Sequence, residues 1–225
     1  MCIPGAAPAE KRLSAMDRIT YDTLVAMFRS AATVIRDNSQ LLSQLDSVGG
    51  DGDHGTTMAR AMAAVEKALE QCSSRTMKAL LENIGWAVMG IDGGATGPLL
   101  GTFFAGMADA LGEADSLSGA DLAKVLEAGL ARLRTMTRAD VGDKTMMDAI
   151  IPAVAAARRA ADDGRNAGEV LAAAAAAAQA GAESTKNIPA RYGRAKNIRE
   201  KSIGSPDAGA TSVSLILKGF SQSAG

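Results

Sequence analysis

The stretch "QLDSVGGDGDHGTTM", residues 44–58, sets Asp46, Asp51 and Asp53 within eight residues, threads glycines between them and adds His54, the single histidine of the chain. Carboxylates at this density repel one another, and glycine leaves the backbone free to move apart. Such a loop makes chemical sense when a cation is its ligand.

Three other segments share its character: "DGGATGP" (92–98), "VGDKTMMD" (141–148) and "GSPDAGATS" (204–212). Each places glycine, aspartate or threonine just ahead of a helical pattern. A helix N-terminus offers free N–H groups and a positive dipole end, and glycine lets a phosphate approach the backbone. Four such loops imply one end of a helical bundle arranged to hold an anion. Carboxylates would oppose that anion: two unit charges about 4 Å apart repel by roughly 4 kcal/mol at an effective dielectric near 20, whereas a helix terminus attracts by at most about 2 kcal/mol. Oxygen ligands beside phosphate point to Mg²⁺, with carboxylates enough for two ions.

Other readings of the loop fit less well. An EF-hand needs Asp or Asn fifth and Glu twelfth, but counting from Asp51 those positions hold Gly55 and Met62. Neither "GGATGPLLG" nor "VGDKTM" has the Gly-Lys-Ser/Thr ending of a P-loop. "GGDGDH" resembles a single calcium-binding nonapeptide repeat, but it occurs once, among helices. His54 at an expected helix start reads as a phosphate contact or proton carrier, and Arg194 as a charge for a transferring phosphoryl group.

The elements that must position these loops are helices. Aromatic residues make up 3% of the 225-residue chain, alternating β-branched runs are scarce, and alanine is abundant. Leu24, Met27, Phe28, Ala31 and Ile35 follow one helical face, as do Leu122, Val125, Leu126, Leu130 and Leu133, and Val213, Ile216, Leu217 and Phe220. Further helices are expected over 57–71, 77–89, 98–111, 146–162 and 168–185, about eight in all and no sheet. Pro98 suits a first helical position, Ser118 an N-cap, and Asn166 with Glu169 a capping box, while Pro152 should kink its helix or shift its start. The alanine run 172–178 suits close helix packing.

Residues 1–20 are expected to form a flexible leader, and 21–225 a single all-α domain. Lys plus Arg (24) nearly balances Asp plus Glu (25), which excludes a global field for nucleic acid or anionic membrane. No run is apolar and long enough for a membrane span, and Cys2 and Cys72 form no disulfide framework, so the expectation is a cytoplasmic protein.

In order and spacing, "LDSVGGDGDHGTT", "GGATGPLLGTFF", "VGDKTMMDAIIPA" and "GRAKNIREKSIGSPDAGA" resemble the L subunit of dihydroxyacetone kinase, which is also the C-terminal domain of single-chain enzymes of that kind. The resemblance implies an antiparallel barrel of eight helices with the nucleotide at one end. It implies ADP or ATP held through two Mg²⁺ on Asp46, Asp51 and Asp53. His54, Gly55, Thr56 and Thr57 would meet the phosphates, as would Ala95 and Thr96. Thr137 and Met146 would lie near the adenosine, and Arg194 with Asp207, Ala208 and Gly209 would close the site. The subunit would then donate a phosphoryl group to a hydroxyl of a short ketose, dihydroxyacetone or a related triose or tetrose, on a separate sugar-binding K subunit.

Two nucleotide modes fit these residues: exchangeable ATP, or resident ADP recharged by a phosphotransferase protein. A homodimer is also compatible. The chain departs from the family pattern at Ala95 (usually serine), Ala208 (usually proline), Gly49 (usually a larger apolar residue) and Lys196, Asn197 and Arg199 (usually small, aromatic and glycine). Those departures keep two other readings in view, a nucleotide-sensing adaptor without turnover and a kinase domain for a different acceptor.

Overall fold

The structure, a computed structural model, describes residues 16–223. The chain opens with β1 (Ile19–Thr20), α1 (Tyr21–Asp37), α2 (Ser39–Asp46), α3 (His54–Gln71), α4 (Met77–Met89) and α5 (Thr96–Asp109). It continues through β2 (Ser116–Leu117), α6 (Gly119–Leu133), α7 (Met147–Asp162), α8 (Ala167–Ser184) and α9 (Ala208–Gln222). Short 3-10 turns at Thr185–Asn187, Arg194–Asn197 and Arg199–Ser202 fill the long connection before α9.

The protein is all-α, as its periodicities require. The three apolar stripes are buried apart from the half-buried Leu130, and Phe28 of α1 meets Phe104 of α5 and Phe220 of α9 edge-on, with ring centroids 5.2 and 4.9 Å apart. These contacts place three separate helices around one aromatic centre. Packing runs in chain order from α3 to α9, and both α9 and α3 lie against α1, so eight helices form a closed circuit with α2 added against α3 and α9. The residues that open α3, α5, α7 and α9 meet at one end of this circuit, so neighbouring helices run antiparallel.

Alternation puts the N-termini of α3, α5, α7 and α9 at one end and those of α1, α4, α6 and α8 at the other. At the second end every N-cap side chain bonds the backbone: Thr20, Thr76, Ser118 and Asn166, the last two within capping boxes. At the first end, Asp53 of α3 and Ala95 of α5 make no side-chain cap bond.

Several expectations need correction. Ile19 is fully buried and pairs with Leu117, while Thr20 pairs with Ser116, so the stretch assigned to a leader includes residues of the fold, and a small antiparallel bridge exists where no strand was expected. The cause is local: Thr20 and Ser118 are N-caps with extended backbones, which lines up the residues before them. Residues 1–15 of that leader lie outside the described residues. α2 occupies the front of what reads as one loop, and α5 begins at Thr96, which makes Pro98 its third residue, a position that still needs no N–H. Pro152 neither starts nor ends α7; it takes the usual partner from the Asp148 carbonyl, against which Gly181 of α8 packs so closely that a Cβ there would lie 2.0 Å from the oxygen. The alanine helix α8 buries Ala174, Ala178 and Ala182 and packs closely on α7.

Candidate functional site: an acidic cluster at the open helix ends

Asp46 is the last residue of α2, where its carboxylate meets the negative end of the helix dipole. The chain then reverses tightly: the Gly50 N–H donates to the Asp46 carbonyl at 2.6 Å, and the Gly52 N–H donates to Asp46 Oδ2 at 2.9 Å. Gly50 is required by contact, because a Cβ there would stand 2.3 Å from Asp46 Oδ1. Asp53 then heads α3. The result is a carboxylate oxygen from each of Asp46, Asp51 and Asp53 within 4.8 Å of one another. An all-oxygen, triply anionic donor set of that size fits a hard divalent cation.

The only cation paired with this set among the described residues is Arg194, whose Nη1 forms an ion pair with Asp51 Oδ2. Desolvation raises the Asp51 pKa, but the Arg194 guanidinium bonded to it, aided by backbone hydrogen bonding, holds the carboxyl below its ordinary range.

His54, first residue of α3, is buried. Its Nε2 lies 3.2 Å from the Ser212 hydroxyl of α9, which also donates to the Gly209 carbonyl. Burial pushes its pKa below the ordinary histidine value, against the pull of Asp46 and Asp53 and of a hydrogen bond to the Ala208 backbone. The ring therefore ties α3 to α9 as a neutral imidazole at pH 7.

Asp207 caps α9 by accepting from the Ala210 N–H at 2.7 Å. Its carboxyl is walled in by protein, although the residue keeps some surface toward the cavity, and desolvation pushes its pKa up to about 7. Beside it, the buried Lys144 donates to the carbonyls of Thr185 (2.7 Å) and Ser205 (2.6 Å) from a left-handed backbone of φ 59°. Asp148, also buried, accepts from the N–H groups of Gly142 and Thr145 at 2.7 and 2.8 Å. Lys144 and Asp148 thereby shape the connection into α7 and the approach to α9.

One cavity of about 400 Å³ is lined by twelve of the fifteen candidates: Asp46, Asp51, Asp53, His54, Ala95, Thr96, Thr137, Met146, Arg194, Asp207, Ala208 and Gly209. Gly55, Thr56 and Thr57 are not in its wall. Gly55 presses on the Ser39 carbonyl, where a Cβ would come within 1.8 Å, Thr57 is buried against Gly93, and Thr56 faces solvent. The walls also include Lys144, Tyr192, Gly93 and Gly94, which sequence reasoning did not single out as site residues. Lys144 and Gly93 stand inside two of the loops read as phosphate-binding, but nothing in residue type shows that a lysine will be buried.

Fold and site together define an all-helical protein that gathers a metal-competent carboxylate cluster and uncapped helix N-termini in one cavity. The chain belongs to the DAK2 domain family, whose model matches residues 48–222. It is 34% identical over 180 residues to the Escherichia coli (strain K12) "PEP-dependent dihydroxyacetone kinase, ADP-binding subunit DhaL", covering 80% of this chain and 86% of that one. It is 32% identical over 203 residues to an L-erythrulose 1-kinase of Mycolicibacterium smegmatis, covering 88% of this chain and 35% of the relative. The dihydroxyacetone kinase of C. freundii, in a crystal structure "in complex with AMP-PNP and Mg2+", superposes with a TM-score of 0.71 at 26% identity over 99% of this chain and 37% of that one. The chain therefore matches most of the length of the ADP-binding subunits and a little over a third of the longer kinases.

Proposed function

We propose that this chain is the phosphoryl-donating, Mg-nucleotide-binding subunit of a dihydroxyacetone-type kinase. The observation that carries the reading is the convergence of three carboxylates within 4.8 Å with the uncapped N-termini of α3 and α5 in one cavity. Bound Mg²⁺, two ions in this reading, would neutralise phosphate charge. Asp46, Asp51 and Asp53 would hold it.

The chain's own groups do the rest. The free N–H groups that open α3 and α5 lie at dipole ends where no side-chain cap competes, so His54, Ala95 and Thr96 would meet anionic oxygens chiefly through their backbone, whereas Gly55, Thr56 and Thr57 lie outside the cavity wall and the Thr57 N–H is already bonded to the Asp53 carbonyl. Arg194, released from Asp51 when a metal takes that carboxylate, is placed to balance charge on a transferring phosphoryl group. His54 acts by holding α9 against α3, since its neutral ring is engaged with Ser212. Thr137, Met146 and Tyr192 line the part of the cavity that suits a nucleoside, and Asp207, Ala208 and Gly209 close it.

The acceptor is the hydroxyl of a short ketose held by a separate sugar-binding subunit, because the described residues gather no second constellation for a small carbonyl compound. A phosphotransferase protein is the donor if ADP stays resident. No described helix is long and apolar enough to cross a membrane, and we place the protein in the cytoplasm. Calorimetry of ADP and ATP with and without Mg²⁺, followed by coupled turnover with a sugar-binding subunit on dihydroxyacetone and erythrulose, tests this. Mg-dependent nucleotide binding with turnover supports it; tight binding without turnover on any triose or tetrose overturns the kinase reading.

A further inference from the structure

We propose that the segment from Arg191 to Lys201 is a docking groove for an acidic surface of a partner protein, mechanically tied to the metal-binding loop. Five cations and one carboxylate stand within these eleven residues, a net charge of +4 on a chain whose total is −1. A concavity of about 520 Å³ is lined by Arg191, Lys196, Asn197, Arg199 and Ala190. Among the described residues Lys196 and Arg199 make no ion pair, and both are exposed. Arg199, on this rim, holds φ at 45°, a left-handed conformation that a side chain adopts at a cost.

The surroundings favour a protein over a small anion. All four polar lining residues are exposed rather than enclosed, and two exposed apolar side chains go with the segment: Tyr192 (39% exposed) within it and Ile203 (46%) two residues beyond it. Arginine and tyrosine beside open apolar side chains match the composition of protein interfaces, and Lys196 and Arg199, which among the described residues stand without a pair while Arg191 is held by Asp143 and Arg194 by Asp51, steer an acidic partner into register.

The groove is not independent of the acidic cluster. Gly49 packs so tightly under Ala195 that a Cβ would lie 2.7 Å from its Cβ and 3.2 Å from Ile198 Cδ1, and Arg194 is paired with Asp51. A metal on Asp51 competes for the same oxygen as Arg194, so it loosens one of the two ties that set the rim. By reciprocity, docking on the rim then alters metal affinity by the same factor by which the metal alters docking. That the docking protein is the acceptor-holding subunit rests on the reading under Proposed function; the basic groove does not.

The test uses fluorescein-labelled hexaglutamate as probe and hexaglutamine as control, read by anisotropy at 50 and 300 mM NaCl. Lys196→Glu with Arg199→Glu, and separately Lys196→Ser with Arg199→Gly, are compared with the unaltered chain. The expected result is saturable, salt-sensitive binding of hexaglutamate, at least tenfold weaker in the charge-reversed variant and intermediate in the neutral one, with Mg-ADP affinity by calorimetry within twofold in all three. Equal binding by all three chains, or equal binding of the two peptides, overturns the proposal. Hexaglutamate binding that depends on Lys196 and Arg199 in a chain that does not bind Mg-ADP leaves the groove standing and removes the nucleotide reading instead. With the sugar-binding subunit in hand, its affinity should fall at least tenfold in the same charge-reversed variant, and an unchanged affinity would overturn the assignment of that partner.

Discussion

Arg194 and Asp51 are joined by an ion pair that closes the long connection before α9 onto the acidic loop. Both side chains are about half exposed, so solvent screening keeps the pair weak and exchangeable. Its importance is positional: it occupies a carboxylate oxygen of the cluster best suited to a metal. Arg194→Ala should therefore leave the fold intact and tighten Mg²⁺ binding in the absence of nucleotide, while lowering turnover with Mg-ATP by about 100-fold or more, the scale of a lost charge on a transferring phosphoryl group. Metal titration followed by steady-state kinetics checks both signs.

Asp51→Asn and Asp53→Asn each remove one charge from a set whose oxygens lie within 4.8 Å. Mg-dependent nucleotide affinity should fall beyond detection by calorimetry, and the helical circular dichroism spectrum should not change. Unchanged affinity in both variants would remove the metal assignment. Protection of the 46–53 loop from protease by Mg²⁺ with ADP should be lost in the same variants.

Two groups give stability opposite pH dependence. Asp207 has a folded pKa raised to about 7, so the folded state keeps a proton that the unfolded chain sheds near pH 4, and its favourable contribution is lost as pH rises from there through about 7. His54 has a lowered folded pKa, so its contribution is present above the unfolded value of about 6.5 and is lost as pH falls below it. Asp207→Asn retains a capping oxygen but cannot titrate. Between pH 5 and 7.5 the melting temperature of the unaltered chain should fall relative to this variant, measured without metal or nucleotide; parallel pH curves would contradict the raised Asp207 pKa.

Lys144 bonds two backbone carbonyls from a buried position. Lys144→Met leaves Thr185 and Ser205 without that donor, at a cost of about 3 kcal/mol given roughly 1.5–3 kcal/mol for each hydrogen bond to a charged group, partly offset by the lost desolvation penalty. Urea denaturation measures this. Hydrogen exchange across 185–207 should quicken in the variant even where global stability is restored by nucleotide.

Close contact explains one oddity of the sequence. Gly49 and Ala195 are small where they meet, so Gly49→Leu should displace the 194–199 turns and cost about 1–3 kcal/mol, as overpacking does. Nucleotide affinity and thermal stability should fall together in this variant.

Helical class, three core stripes, one capping box and the four glycine-bearing loops that meet in one cavity were legible in the chain, because each depends on residue type and spacing within a dozen residues, whereas the second capping box, of Ser118 with Asp121, was read only as an N-cap. Asp46, Asp51 and Asp53 could be read as a cation site from charge density alone. Tertiary structure decided what depends on long-range neighbours. It set Asp46 at the end of a helix, sealed His54 against Ser212 158 residues away, and raised the Asp207 pKa through burial. It also placed Lys144 between the ends of α8 and α9, and it turned a departure at Lys196 and Arg199 into one basic rim. Periodicity and propensity are local properties of a chain, whereas burial, desolvation and charge pairing exist only once distant segments exclude water from one another.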